Sequence, residues 1–245
     1  MLNLALVAGV SAIALAAGGG GGGGPAGVQI VGTPFAIPTS GAHSTVSSTA
    51  YDHPGGGLAA IVSGRPTTGT AQTVTGTWDG TPFEVAENSS GAGLGANDTY
   101  VVILLLKNAA AGAKALELNL GVSNSDSVVT LVSLSSVNQA DAIGASNSSA
   151  EYASSGNQQA AGLTTTAAGS LVLAGAAISV GTTASFAEPF AEVLDTPSDG
   201  GTGTSTITQA VAATSPASGA TITATATFGA SDDGRAVAVC EILAA

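Results

Sequence analysis

Apolar and polar residues alternate along several short stretches of the chain, which is the pattern of β-strands that bury one face. The clearest stretch is 220–228, where apolar residues at the even positions alternate with threonines at the odd positions. Residues 116–122 repeat the pattern, with Glu117 and Asn119 on the polar face. Residues 101–106 are apolar throughout, so we expect a central strand there that is covered on both faces.

Gly, Pro, Asn, Asp and Ser residues separate the apolar segments, as expected for successive strands and turns. No window of helix length stands out as amphipathic. The sequence therefore predicts strands over 28–37, 43–51, 58–63, 70–78, 81–87, 99–107, 115–122, 127–137, 170–179, 205–212, 219–228 and 235–243.

Two short turns support antiparallel pairing of these strands. Asp79 and Gly80 form a two-residue connection typical of a type I′ hairpin, because glycine accepts a positive φ. Residues 232–234 are expected to turn the chain into its last predicted strand. Residues 144–169 are rich in Ser, Asn, Gln and Ala without clear periodicity, so we interpret them as a long surface loop.

The predicted fold is all-β: an antiparallel two-sheet sandwich over residues 25–245, preceded by an apolar, glycine-rich N-terminal arm over 1–24. Whether 25–57 form a separate lead-in segment stays open. The arm joins an apolar stretch at 4–17 to an unbroken glycine run at 18–24. At about 14 residues the stretch is shorter than the roughly 20 that cross a bilayer, so no membrane span is predicted.

Apolar side chains in the arm need a partner surface, and we interpret them as an assembly anchor. Two alternatives stay open, a secretory signal ending at 14–16 and a segment that lies on a lipid surface; no Lys or Arg precedes the apolar stretch, which disfavours the signal. Burial of the arm by copies of the chain predicts a homo-oligomer, with a trimer as one option. The anchoring residues are Leu4, Leu6, Val7, Val10, Ile13 and Leu15.

Composition excludes several classes of function. Charged residues make up only 8% of the chain and its mean hydropathy is +0.42, which is unlike a disordered protein. A net charge of −12 with four basic residues disfavours nucleic-acid binding. Cys240 is the sole cysteine and lies in an apolar run, so we expect a buried thiol and no internal disulfide.

No catalytic, cofactor or metal site is predicted, and we interpret the chain as a non-enzyme. His43 and His53 are the only candidate general bases, and residues 229–234 lack the spacing of a nucleophile elbow. The acidic turns at 195–199 and 231–233 offer oxygen ligands but no ordered calcium-loop spacing. Carbohydrate binding stays open as an alternative; the aromatic residues that could contact a sugar are Tyr51, Tyr100 and Tyr152.

Residues 58–245 resemble β-sandwich domains of bacteriophage virion proteins and bacterial surface proteins. The matching features are short strand and turn motifs at 77–83, 100–106, 137–144, 169–173 and 235–239. The resemblance implies a jelly-roll-like sandwich that serves as a display module, decorating a particle or terminating a fibre. It supplies no functional residues, and the arm lies outside the matching region.

These observations predict a virion structural protein on the particle surface, either a capsid decoration or a head-fibre subunit. Its expected partners are copies of itself and capsid or other virion proteins, with a host-surface glycan as a further candidate. A secreted bacterial adhesin or surface-filament subunit is the alternative. We place the contact surface on the predicted loops 144–169 and 195–204, with Asn157, Gln158 and Gln159 as candidate interaction residues.

Overall fold

The computed structural model describes residues 27–91, 93–96, 98–197, 207–213 and 217–245, with the backbone alone described for Pro197 and for 207–213. The described chain is all-β and its paired strands are antiparallel. The strands are β1 (Gln29–Ser48), β2 (Asp52–His53), β3 (Gly56–Pro66), β4 (Thr75–Trp78), β5 (Thr81–Pro82), β6 (Glu84–Asn88), β7 (Tyr100–Ala109), β8 (Gly112–Ala113), β9 (Leu116–Ser135), β10 (Ile143–Glu151), β11 (Gly156–Thr164), β12 (Leu171–Ile178), β13 (Ala184–Phe186), β14 (Phe190–Pro197), β15 (Ile207–Ala213), β16 (Thr221–Asp232) and β17 (Arg235–Ile242).

Sheet 1 has seven strands and nearly closes on itself. Its order is β5-β4-β9-β3-β7-β6, and β1 pairs with β9 along nearly the whole of both strands. The two end strands, β5 and β6, are separated in sequence only by Phe83. The sheet therefore wraps around an interior of its own.

Sheets 2 and 3 complete the stack. Sheet 2 has the order β10-β17-β12-β15-β14, and sheet 3 has the order β11-β16-β13. Sheet 4 is a two-stranded ribbon of β2 and β8. Sheet 2 packs one face on sheet 1 and the other on sheet 3, as the shared core residues show.

Three hydrophobic cores follow from this stacking. Along β7, Val101, Ile103 and Leu105 face a first core between sheets 1 and 2, whereas Val102 and Leu104 face a second core inside sheet 1. The third core lies between sheets 2 and 3. The expected central strand at 101–106 is confirmed, because each of its residues is buried.

The hairpin predicted at Asp79 and Gly80 is confirmed. Both residues have positive φ, at 50° and 77°, and Trp78 pairs with Thr81 across the turn. Trp78 is itself buried in the second core. The turn before β17 is also confirmed, but β16 and β17 lie in different sheets, so these consecutive strands do not pair.

The architecture differs from the prediction in two respects. A two-sheet, jelly-roll-like sandwich is not confirmed, since the described strands form four sheets. The surface loop predicted at 144–169 is wrong, because most of that segment forms β10 and β11. The two strands are consecutive but do not pair with each other: β10 lies beside β17 in sheet 2 and β11 beside β16 in sheet 3.

The predicted lead-in at 25–57 contains β1, which forms an edge of sheet 1. The anchoring residues of the arm, Leu4, Leu6, Val7, Val10, Ile13 and Leu15, lie outside the described residues, as does most of the predicted loop 195–204. The described chain contains no helix of the length and apolarity that a membrane crossing requires.

Candidate functional site

The three residues predicted for an interaction loop lie on β11, so their assignment to a loop is wrong. Gln158 donates from Nε2 to Thr227 Oγ1 at 3.2 Å, and Gln159 donates from Nε2 to Ser149 Oγ at 2.6 Å. Asn157 is exposed and sits where the β11–β16 register shifts. Two of the three side chains therefore link neighbouring strands.

The outer side of sheet 3 presents a row of threonines on β16 with neutral partners on β11, which we name the threonine face. On β16, Thr221, Thr223, Thr225 and Thr227 are exposed or half-buried, while the residues between them fill the third core. Their cross-strand partners on β11 are Thr164, Gly162, Ala160 and Gln158. The alternation read from the sequence at 220–228 is thus confirmed.

A second polar surface lies on the outside of sheet 1, at the other end of the stack. It is a shallow open groove of about 510 Å³ between β1, β4 and β9, which we name the polar groove. Two cross-strand rows line it: Thr45, Asn119 and Thr75, and beside them Ser47, Glu117, Thr77 and Pro82.

Gly76 lines the polar groove through its backbone and pairs with Leu118, so a side chain at 76 would point to the opposite face, into the second core. A Cβ there would come within 2.2 Å of Leu118 Cδ2 and 2.8 Å of the Glu117 carbonyl oxygen. The groove can contact a partner through hydroxyl, amide and carboxylate groups. Among the described residues that line the groove or pair across the threonine face, Glu117 alone carries a charge.

The two histidines, the only candidate general bases, both contact serines of β9. His43 Nε2 lies 2.7 Å from Ser127 Oγ, and His53 Nδ1 lies 2.6 Å from Ser133 Oγ. Both serines are buried, with at most 1% of their surface exposed, so a substrate has no access to their hydroxyls. These pairs join strands rather than form a nucleophile with its base.

Glu241 is a fully buried carboxylate that accepts hydrogen bonds from the connection between β11 and β12 and from β10. The backbone N–H groups of Thr166, Ala167 and Ala145 lie 2.9, 3.2 and 3.1 Å from its oxygens, and the Thr166 hydroxyl lies 2.8 Å away. Burial alone would raise the pKa of Glu241, but hydrogen bonding by the Ser170 side chain, together with the contacts to Thr166 and Ala145, outweighs it and holds the pKa below its ordinary value.

Arg235 is the corresponding buried cation, with 5% of its surface exposed. Its Nη1 donates to the carbonyl oxygens of Ser154, Gly156 and Asp232, and its Nε donates to Gln158 O at 3.2 Å. The guanidinium therefore holds the β10–β11 turn against the turn before β17.

Acidic side chains gather near these turns, but not as a metal site. Burial, with Asp233 and Asp232 nearby, raises the pKa of Asp98. Within the described ranges, no group of three or more His, Cys, Asp or Glu side chains could hold a metal ion. The calcium ligands considered at Ser198 and Asp199 lie outside those ranges.

The tyrosines considered for sugar binding do not form an exposed platform. Tyr51 and Tyr100 are buried, at 6% and 0% exposure, and half-buried Tyr152 donates from its hydroxyl to Ser89 O at 3.3 Å. Cys240 is a buried free thiol, as expected, and burial raises its pKa to about 12.

Sequence reasoning missed Glu241 and Arg235, although a signal was present. Both charged residues lie in the otherwise apolar run 235–243, and a strand that is apolar on both faces buries whatever charge it carries. Such a charge needs partners from elsewhere in the chain.

No protein-family model matches the chain, and neither a curated protein nor a solved structure matches it. Its function is therefore inferred from the contacts described above and from the sequence.

Proposed function

We propose that this chain is a non-enzymatic structural subunit displayed on the outside of a virion, as a capsid decoration or head-fibre protein. The N-terminal arm anchors it, and copies of the chain associate as a homo-oligomer, with a trimer as one option. The observation that supports this proposal is that the buried charged side chains hold the fold together. Glu241 and Arg235 hydrogen-bond to backbone groups of neighbouring segments, which is a structural role.

We place the contact surfaces on the sheet faces that do not pack against a hydrophobic core. The threonine face and the polar groove lie at opposite ends of the stacked sheets and present hydroxyl and amide groups. A partner of these surfaces would be bound by hydrogen bonds and shape, with little dependence on ionic strength.

The free edge of β1 is a poor candidate for contacts between copies. Among the described strands β1 pairs only with β9, and Pro34 and Pro38 remove two N–H groups from its first half. Proline is tolerated in sheets where its missing N–H would face solvent, and it blocks the addition of a further strand. We therefore place subunit contacts on the arm and the sheet faces.

Labelling of purified particles tests the proposed location. Antibodies raised against residues 25–245 should decorate the outside of intact virions in electron micrographs, and the protein should co-sediment with them. Unlabelled particles that lack the chain would contradict the proposal.

Attachment is tested by deleting residues 1–24. The truncated chain should stay folded by circular dichroism yet no longer bind particles that lack the protein. The matched control keeps the arm's length and replaces its six anchoring residues with Ser, and it should also fail to attach. Unfolding of the truncated chain, or attachment without the arm, would refute this division of roles.

The alternative of a secreted adhesin or filament subunit is distinguished by where the chain is found. N-terminal sequencing of the native protein would show cleavage near 14–16 if the arm is a secretory signal, and fractionation would place the chain on the bacterial surface. A carbohydrate-binding role fits either setting, and saturable binding on a glycan array would support it.

A further inference from the structure

Both histidines of the chain contact the same face of β9 from different strands. Ser127 and Ser133 are six residues apart on β9, so their side chains point to the same side. His43 reaches Ser127 from β1, and His53 reaches Ser133 from β2. The two histidines differ in the hydrogen-bonding groups that surround the imidazole ring.

His43 has an oxygen beside each ring nitrogen. Its Nδ1 lies 2.6 Å from the Gly41 carbonyl oxygen and its Nε2 lies 2.7 Å from Ser127 Oγ. A doubly protonated ring could donate to both oxygens, because the serine hydroxyl can rotate to accept. Both ring nitrogens of the half-buried His43 thus have an oxygen partner.

The surroundings of His53 differ from those of His43. His53 is 1% exposed, and its Nε2 is buried without a hydrogen-bonding partner within the described structure. Its ring packs at 6.2 Å from the Tyr51 ring and 6.0 Å from the Trp78 ring, measured between centroids. The Gly56 backbone favours the protonated ring, but a proton on His53 would still place a charge without a counter-ion among buried aromatic rings, which is costly in an apolar site.

The groups around His53 provide no carboxylate. Tyr51 and Ser133 hydrogen-bond to each other at 2.6 Å, Trp78 comes from β4, and β8 contributes Gly112 and Ala113. Of these only Tyr51 titrates, and burial raises its pKa, so it stays neutral over the physiological range. Asp52, which precedes His53 on β2, is exposed.

We propose that the β2–β8 ribbon is an acid-released cover on the second core, which detaches from β9 when His53 takes up a proton. The ribbon is suited to local opening because it contains two residue pairs and joins no other sheet.

The direction of the pH effect follows from burial, which outweighs the opposing backbone hydrogen bond of Gly56 and lowers the pKa of His53 in the closed state. Below about pH 6.5 the open state binds a proton that the closed state does not, so the open population rises by at most about tenfold per pH unit. Above pH 6.5 both states carry a neutral ring, and the equilibrium is independent of this group.

Hydrogen exchange of the full chain, corrected for intrinsic rates, tests the proposal between pH 7.5 and 5.5. Amides of 51–57 and 109–115 should lose protection by several-fold to tenfold, while 101–106 and 235–242 keep theirs. His53→Gln can still hydrogen-bond to Ser133 but does not titrate, so its protection at 51–57 should not change with pH. His43→Gln is the matched control and should respond as the wild type does.

Unchanged protection at 51–57 in the wild type, or an acid response that survives in His53→Gln, would overturn the proposal. If His53→Gln does not fold, an NMR titration of the wild-type imidazoles decides: the His53 midpoint should lie below about 6.5. A midpoint at or above that value would overturn the proposal as well.

Discussion

The carboxylate of Glu241 accepts hydrogen bonds from both the backbone N–H and the hydroxyl of Thr166, a residue 75 positions earlier in the chain. Thr166 lies in the connection between β11 and β12, which crosses from sheet 3 to sheet 2. One buried charge on β17 thereby fixes the place where the chain changes sheet.

Replacing this carboxylate with an amide should destabilise the protein. In Glu241→Gln, the amide NH₂ would face backbone N–H groups and leave donors without acceptors, so we expect a loss of about 2–4 kcal/mol in the free energy of unfolding. Glu117→Gln is the control, because Glu117 is exposed, and it should change stability by less than about 0.5 kcal/mol. Urea denaturation at pH 7 measures both; equal stabilities would contradict the role of Glu241.

Arg235→Lys tests whether the guanidinium geometry matters or only the charge. A lysine ammonium cannot reproduce the contacts to Ser154, Gly156 and Gln158, so we expect a loss of about 2–3 kcal/mol and faster hydrogen exchange at 151–158. Lys107→Met, which removes a surface ion pair to Glu84 at 3.8 Å, should cost less than about 1 kcal/mol. Unaltered exchange at 151–158 would contradict the role of Arg235 in holding the β10–β11 turn.

The side chains of Asn157, Gln158 and Gln159 differ in the hydrogen bonds that they make. Gln159→Ala should lower stability by about 1 kcal/mol, because it removes a 2.6 Å hydrogen bond to Ser149 on β10. Gln158→Ala should have a smaller effect, and Asn157→Ala should have almost none, since its side chain is exposed. Thermal unfolding of the single variants ranks them, and equal effects would show that β11 is not held by these side chains.

Asp195 should destabilise the folded chain at neutral pH. Burial raises the pKa of Asp195 to about 6, above the value of about 3.9 in an unfolded chain, so the folded state binds more protons between these values. Its contribution to stability is greatest below about pH 4 and declines as pH rises through 6.

The variant Asp195→Asn should therefore be more stable than the wild type at pH 7.5, by on the order of 1 kcal/mol after allowance for solvent screening. The difference should shrink at pH 4.5. Exposed Asp141→Asn is the control, and it should change stability by less than about 0.5 kcal/mol. A variant less stable than the wild type at both pH values would contradict this account.

The strands that alternate strictly or are wholly apolar could be predicted from the sequence. Residues 58–63, 99–107, 170–179 and 235–243 all correspond to strands of the structure, because buried faces impose a periodic pattern. The length of β1 and β9 could not be predicted, since glycines within them look like turns. Gly41 and Gly121 have φ of +80° and +83°, and register shifts let β1 continue past Gly41.

The strands β10 and β11 could not be predicted for a different reason. Their residues are short and polar, and neither strand is buried enough to show alternation along its full length. Their position depends on long-range contacts to Arg235 and Glu241, which no local pattern reveals. The site residues escaped prediction in the same way, because each is defined by partners far away in sequence.

The position of β17 in sheet 2 also determines when during synthesis the sheet can be completed. β17 lies between β10 and β12, with Ala238 and Cys240 in the first core and Val237 and Val239 in the third. It comes after every one of these partners in chain order, so two of the three cores stay open until the ribosome has released residues 235–242. Sheet 2 can therefore form completely only after that segment has been synthesised, and until then β10 and β12 lack the partner between them, which leaves edges open to pairing with other polypeptides.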